Sequence, residues 1–223
     1  PNRIECYDIS NTQGVASVGS MVVFEQGVPA KRLYRHFNIK TVEGPNDFDS
    51  MEEVLTRRFN RWQAAQDSKA VGQKFDEAFA MLPDLLMVDG GKGQLGRAVA
   101  VLERFNLMGR VPVVGLAKQN EELFLPGHSH SLLLPRNSQG LYLVQRIRDE
   151  AHRFAITAHR KRRGKIGLAS RLEQVPGIGP VKRKALLLKF GSVEKIRDAS
   201  LADLTTVPGI TEDLAQALKT QLE

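Results

Sequence analysis

The chain has 223 residues, of which 42% are hydrophobic and 26% are charged, with a net charge of +7 and a single cysteine. That length is enough for one full hydrophobic core and a smaller second one. The composition excludes a disulfide scaffold, and the sequence has neither an apolar run long enough to cross a bilayer nor a secretory signal, so we expect a cytoplasmic protein that does not bind membranes.

The N-terminal part of the chain is predicted to form strands. Apolar and small residues alternate from Ile4 to Ile39 around a turn at Glu25–Gly27, which is typical of three strands in an antiparallel meander. Because this pattern begins at once, behind Pro1 and not a methionine, we expect the chain to be a piece of a longer protein. Residues 46–66 then repeat apolar positions at helical spacing and predict the first helix.

The middle of the chain predicts buried strands that alternate with helices. Leu85–Val88 is a short apolar run behind a proline, and Val113–Ala117 is another, and both are typical of buried parallel strands. Between them, Gly90–Gly93 leads into a helix that we expect to reach Leu107.

The segment that follows Val113–Ala117 predicts a hairpin and a long helix. Residues 123–125 and 132–134 flank a Pro-Gly pair, which indicates a hairpin, and residues 141–159 repeat apolar positions at helical spacing. Strands and helices in this order predict an α/β fold, in which helices cover both faces of a mixed sheet.

The sequence changes character after this α/β region. Residues 172–180 and 204–211 are similar to each other, and each copy is predicted to form a helix, a glycine-containing hairpin and a second helix. We therefore predict a catalytic-type domain at 1–158, a basic linker at 159–170 and a small all-α tandem helix-hairpin-helix domain at 171–223.

Two aspartates and one histidine form the candidate reaction site. Asp8 interrupts an apolar strand, and Asp89 ends the strand that can lie beside it in parallel. His152 lies next to the apolar stripe of the last long helix, from which it could reach the same end of the sheet. Two neighbouring carboxylates repel each other unless a cation lies between them, so this set suits Mg²⁺ or Mn²⁺, with the imidazole favouring Mn²⁺.

Each of these residues also has a simpler interpretation. Asp8 could cap a turn, Asp89 could be a turn residue and helix N-cap, and His152 could be a half-buried histidine with satisfied hydrogen bonds. Asp47 is a further candidate, although its place at a predicted helix start is also explained by the helix dipole.

The segment Asp89–Gln94, DGGKGQ, invites a nucleotide-binding interpretation that its spacing does not support. A P-loop needs an earlier glycine, and Gly93 occupies the position of the serine or threonine that would hold Mg²⁺. The segment could still hold a backbone phosphate at a helix N-terminus, with Lys92 and Lys118 neutralising its charge. Each lysine could equally be an ordinary surface charge.

Most of the excess positive charge lies in one short stretch. Residues 158–170 carry five basic and no acidic residues, whereas the segments on either side are close to neutral. The run predicts a strap that contacts phosphates, although a solvated helix end followed by a flexible linker has the same composition. Its candidate contacts are Arg160, Lys161, Arg162 and Arg163.

The two hairpins are candidate DNA contacts that do not read bases. Gly177, Gly179 and, in the second copy, Gly209 allow tight turns, so that backbone amides can approach a phosphate. Lys182 lies in the first turn of the following helix, where it suits an anion. The second copy has Thr211 where the first has Gly179, and this threonine could cap the next helix while weakening its hairpin. A helical hairpin used for protein contact is the alternative.

Four motifs resemble the C-terminal half of the UvrC family, the incision subunits of bacterial nucleotide excision repair. They are ECYDISN at 5–11, VDGGKGQL at 88–95, RDEAH at 148–152 and HRKR at 159–162. The resemblance covers essentially the whole chain in order. Thr211 departs from an ideal hairpin motif, so the two hairpins are not expected to contact DNA equally. It implies a ribonuclease-H-like fold, a catalytic Asp-Asp-His set at Asp8, Asp89 and His152, and a further functional aspartate at Asp47.

The resemblance also implies a function. The family half makes the incision 5′ to a lesion, so we expect metal-dependent hydrolysis of double-stranded DNA near a lesion, bubble or junction. The expected protein partner is the helicase-like damage-loading subunit, through a region that would precede Pro1. The main alternative is a non-catalytic DNA-binding module on a ribonuclease-H-like scaffold, and the fold alone leaves RNA hydrolysis open.

Overall fold

The structure is a computed structural model that describes residues 1–12, 15–42, 44–117, 122–173 and 175–222. Within its helices and strands, the side chains of residues 11–12, 15–16, 158–171 and 173 lie outside this description. The chain divides into two compact units, Pro1–Ala158 and His159–Glu223.

The described strands of the first unit form one mixed sheet. They are β1 (Arg3–Thr12), β2 (Val15–Glu25), β3 (Val28–Pro29), β4 (Arg35–Asn38), β5 (Leu85–Val88), β6 (Val113–Ala117) and β7 (Glu122–Phe124). Their order is β3-β2-β1-β5-β6-β7, and β4 also pairs with β2. The sheet is antiparallel on the β2 side of β1 and parallel from β1 through β5 to β6.

The predicted meander is confirmed, since β2 runs antiparallel to both β1 and β4. The predicted turn between β2 and β3 is built on two left-handed residues, Gln26 at φ 51° and Gly27 at φ 76°. Two such residues in succession suit the right-handed twist of a β-hairpin, which explains why the chain reverses here.

The helices pack against the sheet or build the second unit. They are α1 (Asp47–Ala70), α2 (Lys92–Arg104), α3 (Gln139–Glu173), α4 (Pro180–Phe190), α5 (Val193–Asp198), α6 (Leu201–Thr205) and α7 (Glu212–Leu222). No helix in the described ranges combines the length and the apolar character that a bilayer crossing requires.

Helices cover both faces of the sheet, as predicted. One buried cluster joins Tyr7 and Val88 of the sheet to residues of α1 and α2, such as Met51. A second cluster joins Cys6 and Met87 to α3. Because neighbouring residues of a strand point to opposite faces, the even-numbered residues of β1 face α3 and the odd-numbered ones face α1 and α2.

Two predicted elements differ from the structure. The segment 132–134 forms no strand opposite β7 and contributes only an isolated antiparallel bridge between Leu123 and Leu132. Leu132 and Leu133 stay exposed, whereas Leu134 packs against the second core cluster. The predicted linker, 159–170, lies inside α3, which continues to Glu173. Arginine and lysine are good helix formers, and the run contains no proline to end the helix.

A buried ion cluster lies on the α1 side of β1. The Glu5 carboxylate accepts hydrogen bonds from Arg58 at 2.8 and 3.0 Å, from Arg3 at 2.8 and 3.0 Å, and from the Tyr7 hydroxyl at 2.6 Å. Arg58 also donates to the backbone oxygen of Met81. The cluster therefore ties β1 and α1 to the segment that precedes β5.

The second unit has its own small core and contains the predicted repeat. Gly177 at φ 88° and Gly209 at φ 83° occupy matching left-handed positions in the two hairpins. Apolar residues of both copies meet in one cluster, among them Ile178, Leu186 and Ile210. Thr211 caps α7 as predicted, since its Oγ1 accepts a hydrogen bond from the amide of Leu214 at 3.4 Å.

Candidate functional site

Asp8 and Asp89 lie side by side where two parallel strands meet. Tyr7 of β1 is in register with Val88 of β5, and the amide of Asp89 donates to the Tyr7 carbonyl at 2.8 Å, so the two aspartates are the next residues in line. Each is only 4% exposed. The structure thus brings together the two carboxylates that the sequence singled out.

The structure excludes the capping roles of these aspartates, while Asp89 does lie in the bend that follows β5. Asp8 belongs to a continuous strand and pairs with Ser20 of β2, so it caps no turn. The N-cap residue of α2 is Gly91, so Asp89 is not the helix cap.

The pKa of the Cys6 thiol reflects its burial and the negative charge of the two aspartates. It is fully buried on the same face of β1 as Asp8, two residues earlier. Burial raises the pKa of the Cys6 thiol well above its ordinary value, and the negative charges of Asp89 and Asp8 raise it further. Two buried carboxylates therefore make this end of the sheet electronegative, which favours a cation.

His152 lies at the rim of the same site. Its ring is on α3 next to the buried Ala151, its side chain is 60% exposed, and its Nδ1 is 3.8 Å from Oδ2 of Asp8. This position agrees with the predicted reach towards the end of the sheet. It also argues against a buried structural histidine, because most of the side chain meets solvent.

The donor set fits a divalent cation that keeps open coordination positions. Within the described ranges, no three His, Cys, Asp or Glu side chains enclose a metal site by themselves. Mg²⁺ does not need such a cage, because it commonly binds one or two carboxylates and completes its shell with water and substrate phosphate. The adjacent carboxylates of Asp8 and Asp89 match that chemistry, and His152 is the nearby nitrogen donor.

Asp47 is the first residue of α1 and lines an open cleft at the start of α2. Asn46 is the N-cap, and its side chain accepts from the amides of Phe48 at 3.2 Å and Asp49 at 3.1 Å, so the predicted helix start is confirmed. Gly91 belongs to the opposite wall of the cleft. The structure explains the place of Asp47 in the fold, while its functional role stays a prediction.

The glycines of the segment 90–93 make room for neighbouring side chains. A Cβ on Gly93 would lie 2.4 Å from Cε1 of Phe48, and a Cβ on Gly90 would lie 2.0 Å from Oε1 of Gln94. Lys92 donates to the Ser129 carbonyl at 2.7 Å. Its predicted phosphate contact thus requires it to leave or share this bond, and Lys118 lies outside the described residues.

Sequence reasoning missed a polar row that continues across the sheet from the two aspartates. Asp8 pairs with Ser20, and Ser20 pairs with His36 of β4, so these residues point to the same face. The Ser20 Oγ and His36 Nδ1 are 3.3 Å apart, and the His36 ring stacks on Phe154 of α3 with centroids 3.9 Å apart. The row follows from the register of β4 against β2, which no local sequence motif indicates.

Contacts of Lys182 hold the first hairpin of the second unit in place. Gly179 is the N-cap residue of α4, and Lys182 of the same helix donates to the Gly177 carbonyl at 3.0 Å. The Lys182 stem also packs against the second hairpin, where a Cβ on Gly209 would lie 3.3 Å from its Cε. The side chains of Arg160, Lys161, Arg162 and Arg163 lie outside the described residues, so their predicted phosphate contacts stay predictions.

Comparisons with known proteins agree along the whole chain. The family described as "UvrC RNAse H endonuclease domain" matches residues 1–156, and "SAM-like Helix-hairpin-helix tandem" matches residues 169–223. The UvrABC system protein C of Carboxydothermus hydrogenoformans is 49% identical over all of this chain and 36% of its own length. That of Dehalococcoides mccartyi strain CBDB1 is 49% identical over 98% of this chain and 35% of its own length.

The chain thus spans about a third of the length of these relatives. Among solved structures, an endonuclease V of Ciona intestinalis in complex with DNA is 17% identical, with a TM-score of 0.33, over 52% of this chain and 46% of that one.

Proposed function

The chain belongs to the UvrC family, and from that premise we propose that it is a metal-dependent endonuclease that makes the 5′ incision at damaged DNA in nucleotide excision repair. The observation that supports this proposal most directly is the buried pair of carboxylates, Asp8 and Asp89, at the ends of adjacent parallel strands. A buried like-charged pair is unfavourable without a cation, and its presence is best explained by a task that needs one.

In this proposal Asp8 and Asp89 hold Mg²⁺ or Mn²⁺. The bound cation supplies activation of water and neutralises the charge that develops on the phosphate. The backbones of both aspartates are paired with neighbouring strands, which fixes the positions from which their side chains extend. His152 faces both Asp8 and solvent, so its ring can orient the scissile phosphate or move a proton at one of its nitrogens.

The second unit would hold the DNA duplex. The left-handed glycines of its two hairpins let backbone amides approach phosphates, and such contacts carry no sequence information. The basic run, Arg160–Arg163, and Lys92 would add charge that attracts DNA. We propose that the substrate contains a lesion, bubble or junction, and that the helicase-like loading subunit expected from the UvrC resemblance delivers it. The relatives are named as protein C of a UvrABC system, which agrees with further protein partners.

A nicking assay tests the function. We expect the full-length protein that contains this chain, together with the loading subunit, to nick bubble DNA on the 5′ side with Mn²⁺ or Mg²⁺ and to stop when EDTA removes the metal. An RNA strand of the same sequence serves as the matched control and should stay intact. If the DNA binds but is never nicked with either metal, the chain is a non-catalytic DNA-binding module instead.

The hairpins are expected to control the salt dependence of DNA binding. Gly177→Asp places a negative charge where a phosphate should lie, and each lost phosphate contact should flatten the slope of log K against log salt by about 0.9. Gly209→Asp should have a smaller effect, because the second hairpin ends in Thr211 and not in a second glycine. Affinity for duplex DNA would be measured by anisotropy at several salt concentrations.

Gly191→Asp is the matched control for this experiment. Gly191 has a similar left-handed backbone at φ 80°, but it follows α4 and belongs to neither hairpin. The same substitution there imposes a similar positive-φ strain without removing a predicted phosphate contact, and it lacks the close approach to Leu214, 3.0 Å, that a Cβ on Gly177 would make. Equal slopes for the Gly177 variant and the native chain would show that the hairpins serve protein contacts.

A further inference from the structure

Phe48 is an aromatic side chain exposed beside the candidate site. Half of its surface, 50%, meets solvent at the second position of α1, whereas Phe37 and Phe59 of the same unit are fully buried. A single exposed apolar residue is common on protein surfaces, so exposure alone assigns no role. The inference depends on the contacts of the ring and on the cleft beside it.

The Phe48 ring packs against Gly93, whose lack of a side chain leaves room for it. A Cβ on Gly93 would lie 2.4 Å from Cε1 and 2.9 Å from Cζ of the ring, so any other residue at this position would displace it. On its other side the backbone of Phe48 is held by the Asn46 cap, which accepts from its amide. The ring is thus fixed between the starts of α1 and α2 while half of it stays exposed.

The exposed part of the ring borders a cleft with room for a nucleotide. The cleft has a volume of about 780 Å³, and its other wall includes Gly91, two residues after Asp89. Ligand pockets for small molecules typically have about 300–1,000 Å³. The cleft therefore opens within two residues of the candidate metal ligand on the same chain segment.

The cleft wall also contains a buried acceptor without a donor. Gln94 is 9% exposed and lines the cleft, and within the described ranges its Oε1 accepts no hydrogen bond. A buried amide oxygen left in this way is unfavourable. It lies against Gly90, where a Cβ would be 2.0 Å from it, so a ligand in the cleft can donate to it only after the Gln94 side chain turns outward.

We propose that this cleft binds an unpaired nucleobase of the nicked DNA strand, stacked on Phe48 with its amino group near Gln94. The inference rests on the proposed function in taking DNA as the substrate. An aromatic face binds any base, so the site tolerates every sequence, and it requires a base that is not stacked in a duplex. The cleft would thereby select bubbles and junctions over intact duplex DNA.

Affinity for bubble DNA tests the stacking. Phe48→Leu keeps apolar bulk but removes the aromatic face, and it should lower the affinity about 5- to 100-fold. Phe48→Trp should bind at least as tightly as the native chain. Phe75→Leu is the matched control, because Phe75 is also exposed, at 38%, but lies away from the cleft. Equal affinity of the Phe48→Leu variant and the native chain would overturn the proposal.

Abasic substrates separate stacking from a general loss of structure. Removing single bases along the bubble should identify one position at which the native chain and Phe48→Leu bind equally, since the partner of the ring is then absent. Gly93→Ala, which displaces the ring without changing it, should lower the affinity as Phe48→Leu does, and the double variant should be no weaker. A loss that persists at every abasic position would assign Phe48 to packing.

The binding readout keeps this inference distinct from the proposed function. Affinity is measured with EDTA present, so it does not depend on cleavage. If the Phe48 effects occur but no metal supports nicking, the base site stands and the nuclease proposal falls. If nicking occurs and the Phe48 variants bind normally, the nuclease proposal stands and the base site falls.

Discussion

Asp8→Asn and Asp89→Asn should each reduce metal-dependent nicking by about 10²- to 10³-fold, because one carboxylate cannot hold the cation that the reaction needs. Asparagine has the shape of aspartate, so the packing of these residues, each 4% exposed, is kept. The metal-free variants should unfold at a temperature equal to or higher than the native chain, since one of two repelling charges has been removed. Nicking rates at several Mn²⁺ concentrations and thermal melts with EDTA measure both effects.

Asp67→Asn is the control for this pair. It also removes one carboxylate, but from the exposed surface of α1, so both the nicking rate and the melting temperature should stay unchanged. Native nicking rates in either site variant would show that the two aspartates hold no catalytic metal. Lower melting temperatures of both metal-free variants would show instead that the carboxylates serve a structural purpose.

Arg58→Met should destabilise the first unit by about 3–5 kcal/mol, because it removes one partner of a fully buried ion pair. Methionine fills much of the space of the arginine stem, so the loss reports mainly on the charge. Glu5 then keeps Arg3 and Tyr7 but loses its two hydrogen bonds from Arg58. Urea unfolding followed by the fluorescence of Trp62 measures the free energy.

The same loss should shrink in acid. Burial by itself raises the pKa of the Glu5 carboxyl, but Arg58, Arg3 and the Tyr7 hydroxyl outweigh it and hold the pKa below its ordinary value of 4.5. A lowered pKa contributes stability that is present above the ordinary value and is lost as the pH falls through the folded one. The difference between Arg58→Met and the native chain is therefore largest near pH 7 and smaller below about pH 4.5.

Arg61→Met is the control for the ion pair. Arg61 lies on the same helix three residues later, is exposed, and contacts the faces of Phe37 and Phe79. Its replacement should cost no more than about 1 kcal/mol. A similar loss for both variants at neutral pH would contradict a special contribution of the buried pair.

The central part of the fold could be predicted because its signals are local. The apolar run Leu85–Val88 behind a proline indicates a buried strand, and a helix on either side indicates that it pairs in parallel. Once β1 and β5 are neighbours, Asp8 and Asp89 must end at the same edge of the sheet. The neighbouring carboxylates were therefore accessible from strand order alone.

The other features depend on packing between distant parts of the chain. The hairpin predicted at 123–134 rests on a Pro-Gly turn, whereas in the structure Leu133 stays exposed and only one bridge forms. The row from Asp8 through Ser20 to His36 needs the register of two strand pairs. The contact of Phe48 with Gly93 joins two helix starts that are far apart in sequence. Periodicity in one segment contains no information on such contacts.

The rate at which Cys6 is alkylated would report how often the centre of the sheet opens. It is the only thiol in the sequence, and it is fully buried two residues from Asp8. An alkylating reagent can reach it only while β1 separates from its neighbours, so the labelling rate counts those openings. If Asp8 and Asp89 hold a cation as proposed, the cation binds only the closed sheet, and the labelling rate should fall as its occupancy rises. Metal affinity thus becomes measurable on the unmodified chain, without DNA and without turnover.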